Sequence, residues 1–206
     1  MTHTLHRKGT PESLDRDYVF LCMAAKGINE EGSEEKMREF LRMAIKHKAI
    51  NFGDMKTGTV FSCRAKEIVS NVTSTSIVHG VFTDLETVTR FMKSLKKADL
   101  GLSVVVSGPF RSLAEAFRKT GIQPHSADFS GGIWGKTEKL PRPEVLEVTT
   151  MCGHAMISAN LVEDIAKRIR AGATTVREGS IEIGKACSCG IFNTQRAEKI
   201  LRKLAH

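Results

Sequence analysis

The most informative segment of the sequence is residues 74–109, STSIVHGVFTDLETVTRFMKSLKKADLGLSVVVSGP, because its apolar pattern changes period twice. Residues 74–82 are rich in β-branched side chains, which is typical of a strand. Asp84 can then cap a helix over 85–98, where apolar residues recur at helical spacing. Residues 102–107 indicate a second, buried strand. This order of strand, helix and strand predicts a right-handed crossover with parallel pairing.

A further helix is predicted from Pro109 to near Gly121, where the glycine can end it. We therefore expect an α/β fold: a mixed, mainly parallel sheet of about four strands, flanked by helices, with helical N- and C-terminal segments.

The N-terminal third predicts helices. Leu14, Tyr18 and Cys22 recur at helical spacing, and a second amphipathic helix can begin at Ser33. We expect one α/β domain over residues 1–206, and the pattern leaves open a helical N-terminal subdomain over 1–58.

The C-terminal half predicts two more strands and then three helices. Residues 125–134 and 144–150 are the strand candidates, separated by a proline-bearing loop that lets them pair antiparallel. A helix is expected over 161–171. Residues 175–186 also favour a helix because they open with a capping box, and the last helix is capped by Asn193.

The composition is that of a globular protein, with 41% hydrophobic and 26% charged residues among 206. No apolar run reaches the roughly 18 residues of a membrane span, and the first residues lack the apolar core of an export signal. A cytoplasmic protein without a membrane partner is the expectation. The formal net charge of +8 is spread over both halves, so charge alone is the argument for nucleic-acid binding. A small anionic ligand and a homo-oligomer both remain open.

The strongest candidate site combines Cys152-Gly-His154 with Cys187-Ser-Cys189. Three sulfurs and one imidazole form a complete ligand set for tetrahedral zinc, and three cysteines can also hold an iron–sulfur cluster. The main hypothesis is therefore a metal-binding α/β protein, acting as a metal-dependent or redox enzyme on a small anionic substrate. His3 and His6 would add imidazoles if the N-terminus folds over the site.

Two alternatives use the same residues without metal. In a thiol enzyme, Cys152 would be the nucleophile, with His154 beside it and Cys187 with Cys189 forming an easily reduced disulfide. In a binding or regulatory module for an anion or nucleic acid, the cysteines would be only structural. Cys22 and Cys63 are expected to be structural, and the sequence does not decide whether the protein is an enzyme.

A second candidate site would bind an anion where the strand over 102–107 meets the next helix. Ser107, Gly108 and Arg111 could bind it there, because ligands of parallel sheets lie at the carboxyl ends of strands. Trp134 could stack on a planar ligand or anchor the core. The stretch around Gly135-Lys136-Thr137 is not a phosphate-binding P-loop, since the prolines that follow exclude the required helix.

Overall fold

A computed structural model describes residues 6–206 of the chain. Its sheet has five strands in the order β3-β2-β4-β1-β5, and every neighbouring pair is antiparallel. The strands are β1 (Tyr18–Met23), β2 (Asn51–Asp54), β3 (Gly58–Thr59), β4 (Ile77–Phe82) and β5 (Ser103–Ser107).

Helices cover both faces of this sheet. None of them, among the described residues, is long and apolar enough to cross a bilayer. They are α1 (Pro11–Leu14), α2 (Ser33–Lys46), α3 (Ala65–Ser70), α4 (Leu85–Ala98), α5 (Phe110–Thr120), α6 (Pro143–Thr149), α7 (Ala159–Arg170), α8 (Val176–Lys185) and α9 (Thr194–Ala205), with a 3-10 turn at Thr137–Lys139.

The prediction of a mainly parallel sheet of about four strands is wrong, because β1 occupies a place that the sequence pattern did not assign to it. β4 and β5 do run in the same direction, but β1 lies between them and is antiparallel to both. The crossover through α4 therefore skips one strand. β5 is an edge strand, and its Val104 and Val105 are partly exposed instead of buried.

β1 is a strand although its apolar residues also fit a helical spacing. The five residues from Tyr18 to Cys22 are all buried, as in a strand that is covered on both faces. A helix in this position would expose part of such a run to solvent. The predicted first helix shrinks to the single turn α1, and residues 6–58 contribute β1 and β2 to the sheet rather than helices alone.

The predicted strand pair in the C-terminal half is also wrong. Residues 144–150 form α6, with Pro143 at its first position and Val145 and Val148 buried on one face. Residues 125–134 form an exposed irregular segment. The helices predicted over 85–98 and 175–186 are confirmed, as is the last helix with its Asn193 cap.

The two faces of the sheet carry separate apolar cores. Alternate residues of β1 point to opposite sides, so Phe20 and Cys22 pack with α2–α5, whereas Val19 and Leu21 pack with α6–α9. We call the first side the front layer and the second the back layer. The cysteines of the strongest candidate site all belong to the back layer.

Candidate functional site: a thiol cluster

Two loops at the ends of back-layer helices bring three cysteines together. Cys152 lies in the turn after α6, where its amide donates to Thr149 O at 3.2 Å. Cys187 and Cys189 lie in the turn between α8 and α9, and Gly190 N donates back to Cys187 O at 2.8 Å. All three side chains are buried. Cys152 thus follows a helix, not the strand that was predicted.

The second loop is fixed from the sheet side. Asn51 of β2 donates through Nδ2 to Gly190 O at 2.6 Å and to Phe192 O at 2.8 Å. Gly190 has a φ of +68°, and a Cβ there would lie 2.3 Å from Thr59 Cγ2. Only glycine satisfies both the backbone conformation and the contact with β3.

The three sulfurs form one hydrogen-bonded cluster with Cys187 at its centre. Cys187 Sγ lies 3.5 Å from Cys189 Sγ and is also hydrogen bonded to Cys152. The cysteines are free thiols, since a disulfide would bring two sulfurs to about 2.0 Å. In tetrahedral zinc sites with bonds of about 2.3 Å, two ligand sulfurs lie about 3.8 Å apart. The separation of Cys187 and Cys189 is close to that value.

Hydrogen bonding within the cluster separates the pKa values of the thiols. The bond from Cys187 lowers the pKa of Cys152 to about 5 against the opposing effect of burial, helped by backbone groups of Met156 and His154. The bond from Cys187 likewise lowers the pKa of Cys189 to about 6, again against burial. The pKa of Cys187 itself is raised, because its proton is shared with both neighbours. The hydrogen bonds therefore favour the thiolate form of Cys152 and Cys189 and the thiol form of Cys187.

His154 lies at the solvent side of the cluster. Its side chain is exposed, and it hydrogen bonds to Cys189 and lowers the pKa of both Cys152 and Cys189. Ala155, the next residue, has a φ of +54°, which folds the loop sharply here. The predicted ligand residues Cys152, His154, Cys187 and Cys189 are therefore neighbours in space.

A buried ionic cluster that the sequence analysis missed holds the two cysteine loops in place. Arg7 donates through Nη2 to Met151 O at 3.2 Å and to Ile191 O at 3.1 Å, one residue before Cys152 and two residues after Cys189. Its other nitrogen Nη1 pairs with Asp17. Arg7 therefore links both loops to the start of β1.

Asp17 is shared between two arginines. Arg196 of α9 donates to Asp17 Oδ2 at 2.8 Å, and Asn193 Nδ2 donates to Asp17 Oδ1 at 3.0 Å. Burial by itself would raise the pKa of Asp17, but the charges of Arg7 and Arg196 lower it below its ordinary value. No sequence signal marks this cluster except an acid placed immediately before an apolar run.

The residues predicted to bind an anion lie elsewhere, at the edge of the sheet. The rule that placed a ligand at Ser107 applies to parallel strands, and this sheet is antiparallel. Gly108 has a packing role, because a Cβ would lie 2.6 Å from the Tyr18 ring. Arg111 is exposed. Trp134 is 85% exposed, so it does not anchor the core, and its indole donates to Gly131 O at 3.1 Å.

The remaining predicted candidates divide into three cases. His6 is exposed and hydrogen bonds to Ser130 Oγ at 3.0 Å, while His3 lies outside the described residues. Cys22 is enclosed by the front-layer core, and burial raises its pKa to about 12. Cys63 packs beside the front-layer core, next to Gly58.

As the side chains stand in residues 6–206, no group of three or more His, Cys, Asp or Glu residues is placed to hold a metal ion. Comparison of the chain with protein-family models, with curated proteins and with solved structures finds no match.

Proposed function

We propose that the back layer carries a thiolate metal centre, with Cys152, Cys187 and Cys189 as sulfur ligands and His154 as the fourth. The observation that supports it is the contact of three buried sulfurs, two of which have pKa values of about 5 and about 6. A cation would balance the charge of the two thiolates and displace the proton of Cys187, as metal binding to cysteine requires.

The geometry favours one ion over a cluster. Thiolates that share one zinc ion lie in contact, as Cys187 and Cys189 do at 3.5 Å, whereas each cysteine of a four-iron cluster binds a different iron. The ligand set is not preformed, so at least one side chain must rotate when metal binds. Rotation of the exposed His154 side chain would leave the apolar core undisturbed.

Metal content of the protein tests this proposal. Protein without a histidine tag, purified anaerobically and analysed for zinc and iron, should contain one zinc per chain. Cys187→Ser should lose it, whereas Cys63→Ala, a change outside the cluster, should keep it. If the analysis instead finds iron with acid-labile sulfide, the same residues hold a cluster and not a single ion. The proposal would be rejected if the wild type contained neither metal and also bound no zinc on titration.

The low pKa of Cys152 also favours a second function, metal-free thiol redox chemistry. A thiolate is the attacking species in disulfide exchange, and Cys187 and Cys189 are close enough to form a disulfide after a small movement. An external disulfide would be the oxidant. Attack by the Cys152 thiolate releases one thiol and leaves a mixed disulfide, and attack by Cys187 on the Cys152 sulfur releases the second thiol. Attack by Cys189 on the Cys187 sulfur then forms the Cys187–Cys189 bond and returns Cys152 to the thiolate. If this function is correct, glutathione disulfide should oxidise the metal-free protein to a stable Cys187–Cys189 product visible by peptide mapping.

A further inference from the structure

A cavity of about 590 Å³ lies between α8, α9 and the residues after β3. Its volume falls within the range of about 300–1,000 Å³ that is usual for small-molecule sites. The lining residue Phe61 also touches the back-layer core, since a Cβ at Gly184 would lie 2.6 Å from its ring. The cavity is therefore built into the packing between the sheet and α8.

One part of the cavity wall is apolar. Ile50, Val60, Phe61 and Ile181 line it, and Ile50 and Phe61 are partly buried and packed against the back-layer core. An apolar body of a ligand placed against these residues would be removed from water, which contributes roughly 25 cal/mol per Å² of buried area.

The other part of the wall is cationic. Arg177 of α8 and Lys199 and Arg202 of α9 line it, together with one acid, Glu198. Glu198 is paired with Arg202 at 4.0 Å, an exposed contact of the kind that contributes little. Arg177 and Lys199 add positive charge from two different helices.

The first turn of α9 adds a further anion-binding element. Thr194 and Gln195 line the cavity, and they are the first two residues of a 12-residue helix. The amides of a helix's first turn carry a partial positive charge. The side-chain oxygen of Asn193 accepts a hydrogen bond from the amide of Arg196, at 2.8 Å.

We infer that this cavity binds a small amphipathic anion, an aromatic or aliphatic body that carries one phosphate or carboxylate group. The body lies on Phe61, Ile50 and Ile181, and the acid group faces Arg177, Lys199 and the start of α9. The site is distinct from the edge-strand position at which the sequence predicted an anion, and it does not require metal in the thiol cluster.

The test is a titration of the full chain with four probes, followed by calorimetry and by amide chemical shifts. Phenyl phosphate and phenylacetate carry both features, whereas inorganic phosphate and benzyl alcohol carry one each. We expect at least one of the first two to bind about tenfold more tightly than either single-feature probe, a difference of about 1.4 kcal/mol. The better of the two identifies the acid group.

Charge variants locate the binding. The pair Arg177→Ala with Lys199→Ala should weaken the better probe about tenfold or more, because both charge-assisted contacts are lost. The pair Lys203→Ala with Lys167→Ala is the matched control, since it also removes two charges, from exposed positions outside the cavity wall. It should change affinity less than about twofold.

Three results would overturn the inference. The first is that neither phenyl phosphate nor phenylacetate binds at concentrations up to about 10 mM. The second is that amide chemical shifts change only in residues outside the cavity. The third is that the Lys203 and Lys167 control loses as much affinity as the cavity variant. The melting temperature of each variant shows that it is folded, so a loss of binding is not a loss of structure. Metal content measured on the same samples separates this outcome from failure of the thiol centre.

Discussion

Cys22 of the front layer and Cys152 of the back layer are both almost fully buried, with 0% and 2% of their surfaces exposed. Burial among apolar side chains raises the pKa of Cys22 to about 12. The pKa of Cys152 is about 5, because Cys187 and two backbone groups hydrogen bond to its sulfur. The same residue type, equally hidden from solvent, thus has its pKa raised in one layer and lowered in the other.

The two layers differ in the same way as a whole. The front layer is filled by aromatic rings such as Phe20, Phe82 and Phe91, which meet at centroid distances of 4.8–5.6 Å. The back layer buries Asp17 and Arg196 beside its apolar core. The comparison indicates that hydrogen-bond partners can reverse the effect of burial on the pKa of a thiol in this protein.

The largest effect is expected from removing the shared acid of the back layer. Asp17→Ala leaves the buried charge of Arg7 without a counterion and leaves Arg196 with Glu147 alone, and this should lower the free energy of unfolding by about 3–5 kcal/mol. Urea denaturation measures it. A loss below about 1 kcal/mol would mean that the ionic cluster does not stabilise the back layer.

A substitution at Gly190 should have the next largest effect. Gly190→Ala forces a side chain into Thr59 at a φ of +68°, and we expect a loss of about 2–4 kcal/mol in thermal or urea unfolding. Gly27→Ala is the control, because Gly27 has a similar φ of +73° but no atom within 4 Å of the added Cβ. It should cost about 1 kcal/mol. Equal losses would show that the contact with β3 is unimportant.

Replacement of Arg7 should affect the thiol centre more than replacement of the exposed Arg16. Arg7→Met removes the donor to Met151 O and Ile191 O, so both cysteine loops lose a fixed position. Zinc affinity, measured by competition with a chelator, should fall about 10–100-fold, as is usual for groups that orient metal ligands. Arg16→Met, an exposed site, should leave affinity unchanged. A similar fall in both variants would contradict the role of Arg7.

The pH dependence of stability should also separate the two layers. In the reduced, metal-free protein, the lowered pKa values of Cys152 and Cys189 stabilise the fold above the ordinary thiol pKa of 9.0, and this contribution is lost as pH falls toward 6 and 5. Stability should therefore rise between pH 6 and 9, because the unfolded chain binds more protons than the fold in this range. The raised pKa of Cys187 acts in the opposite sense above pH 9.

Cysteine variants identify the source of this pH dependence. Cys152→Ser should reduce the rise to the part that Cys189 contributes, and Cys22→Ala in the front layer should keep it, because Cys22 is a neutral thiol throughout the range. Chemical denaturation at several pH values gives both slopes. An unchanged slope in Cys152→Ser would refute the assignment of a thiolate to this residue.

The smallest effect is expected for ion pairs on the protein surface. Glu86 and Arg90 of α4 form an exposed pair one helical turn apart. Glu86→Ala should change the free energy of unfolding by at most about 0.5 kcal/mol. Its comparison with Asp17→Ala measures what burial adds to an acid–arginine pair in this protein.

Local signals in the sequence were sufficient for much of the fold. The Asp84 cap, the capping box from Thr175 to Glu178 and the Asn193 cap each predicted a helix that the structure contains. These elements are determined by residues three or four positions apart. The apolar runs that became β4 and β5 were also recognisable as strands.

Sheet topology could not be read in the same way. The run from Tyr18 to Cys22 fits a helix or a two-sided strand, and only its pairing with residues more than fifty positions away decides between them. For residues 144–150 a local signal does decide. Pro143 stands at the first position of a helix, and the residues after it form that helix and not the predicted strand.

The residues of the candidate site also divide into those that the sequence predicts and those that depend on distant contacts. Residue types alone selected Cys152, His154, Cys187 and Cys189, and these residues are neighbours in the structure. Arg7 and Asp17 were not predicted, because a charged residue is normally exposed and its burial depends on contacts between distant segments.

The central position of β1 in the sheet limits the order in which parts of the fold can form during synthesis of the chain. β1 leaves the ribosome early, but its two partners end at Phe82 and Ser107, so the sheet cannot close until about half of the chain has emerged. The face that carries Val19 and Leu21 is covered by α6–α9, which all follow β5 in the sequence. The thiol cluster needs Cys152, Cys187 and Cys189, so it can form only after both partners of β1 have been synthesised.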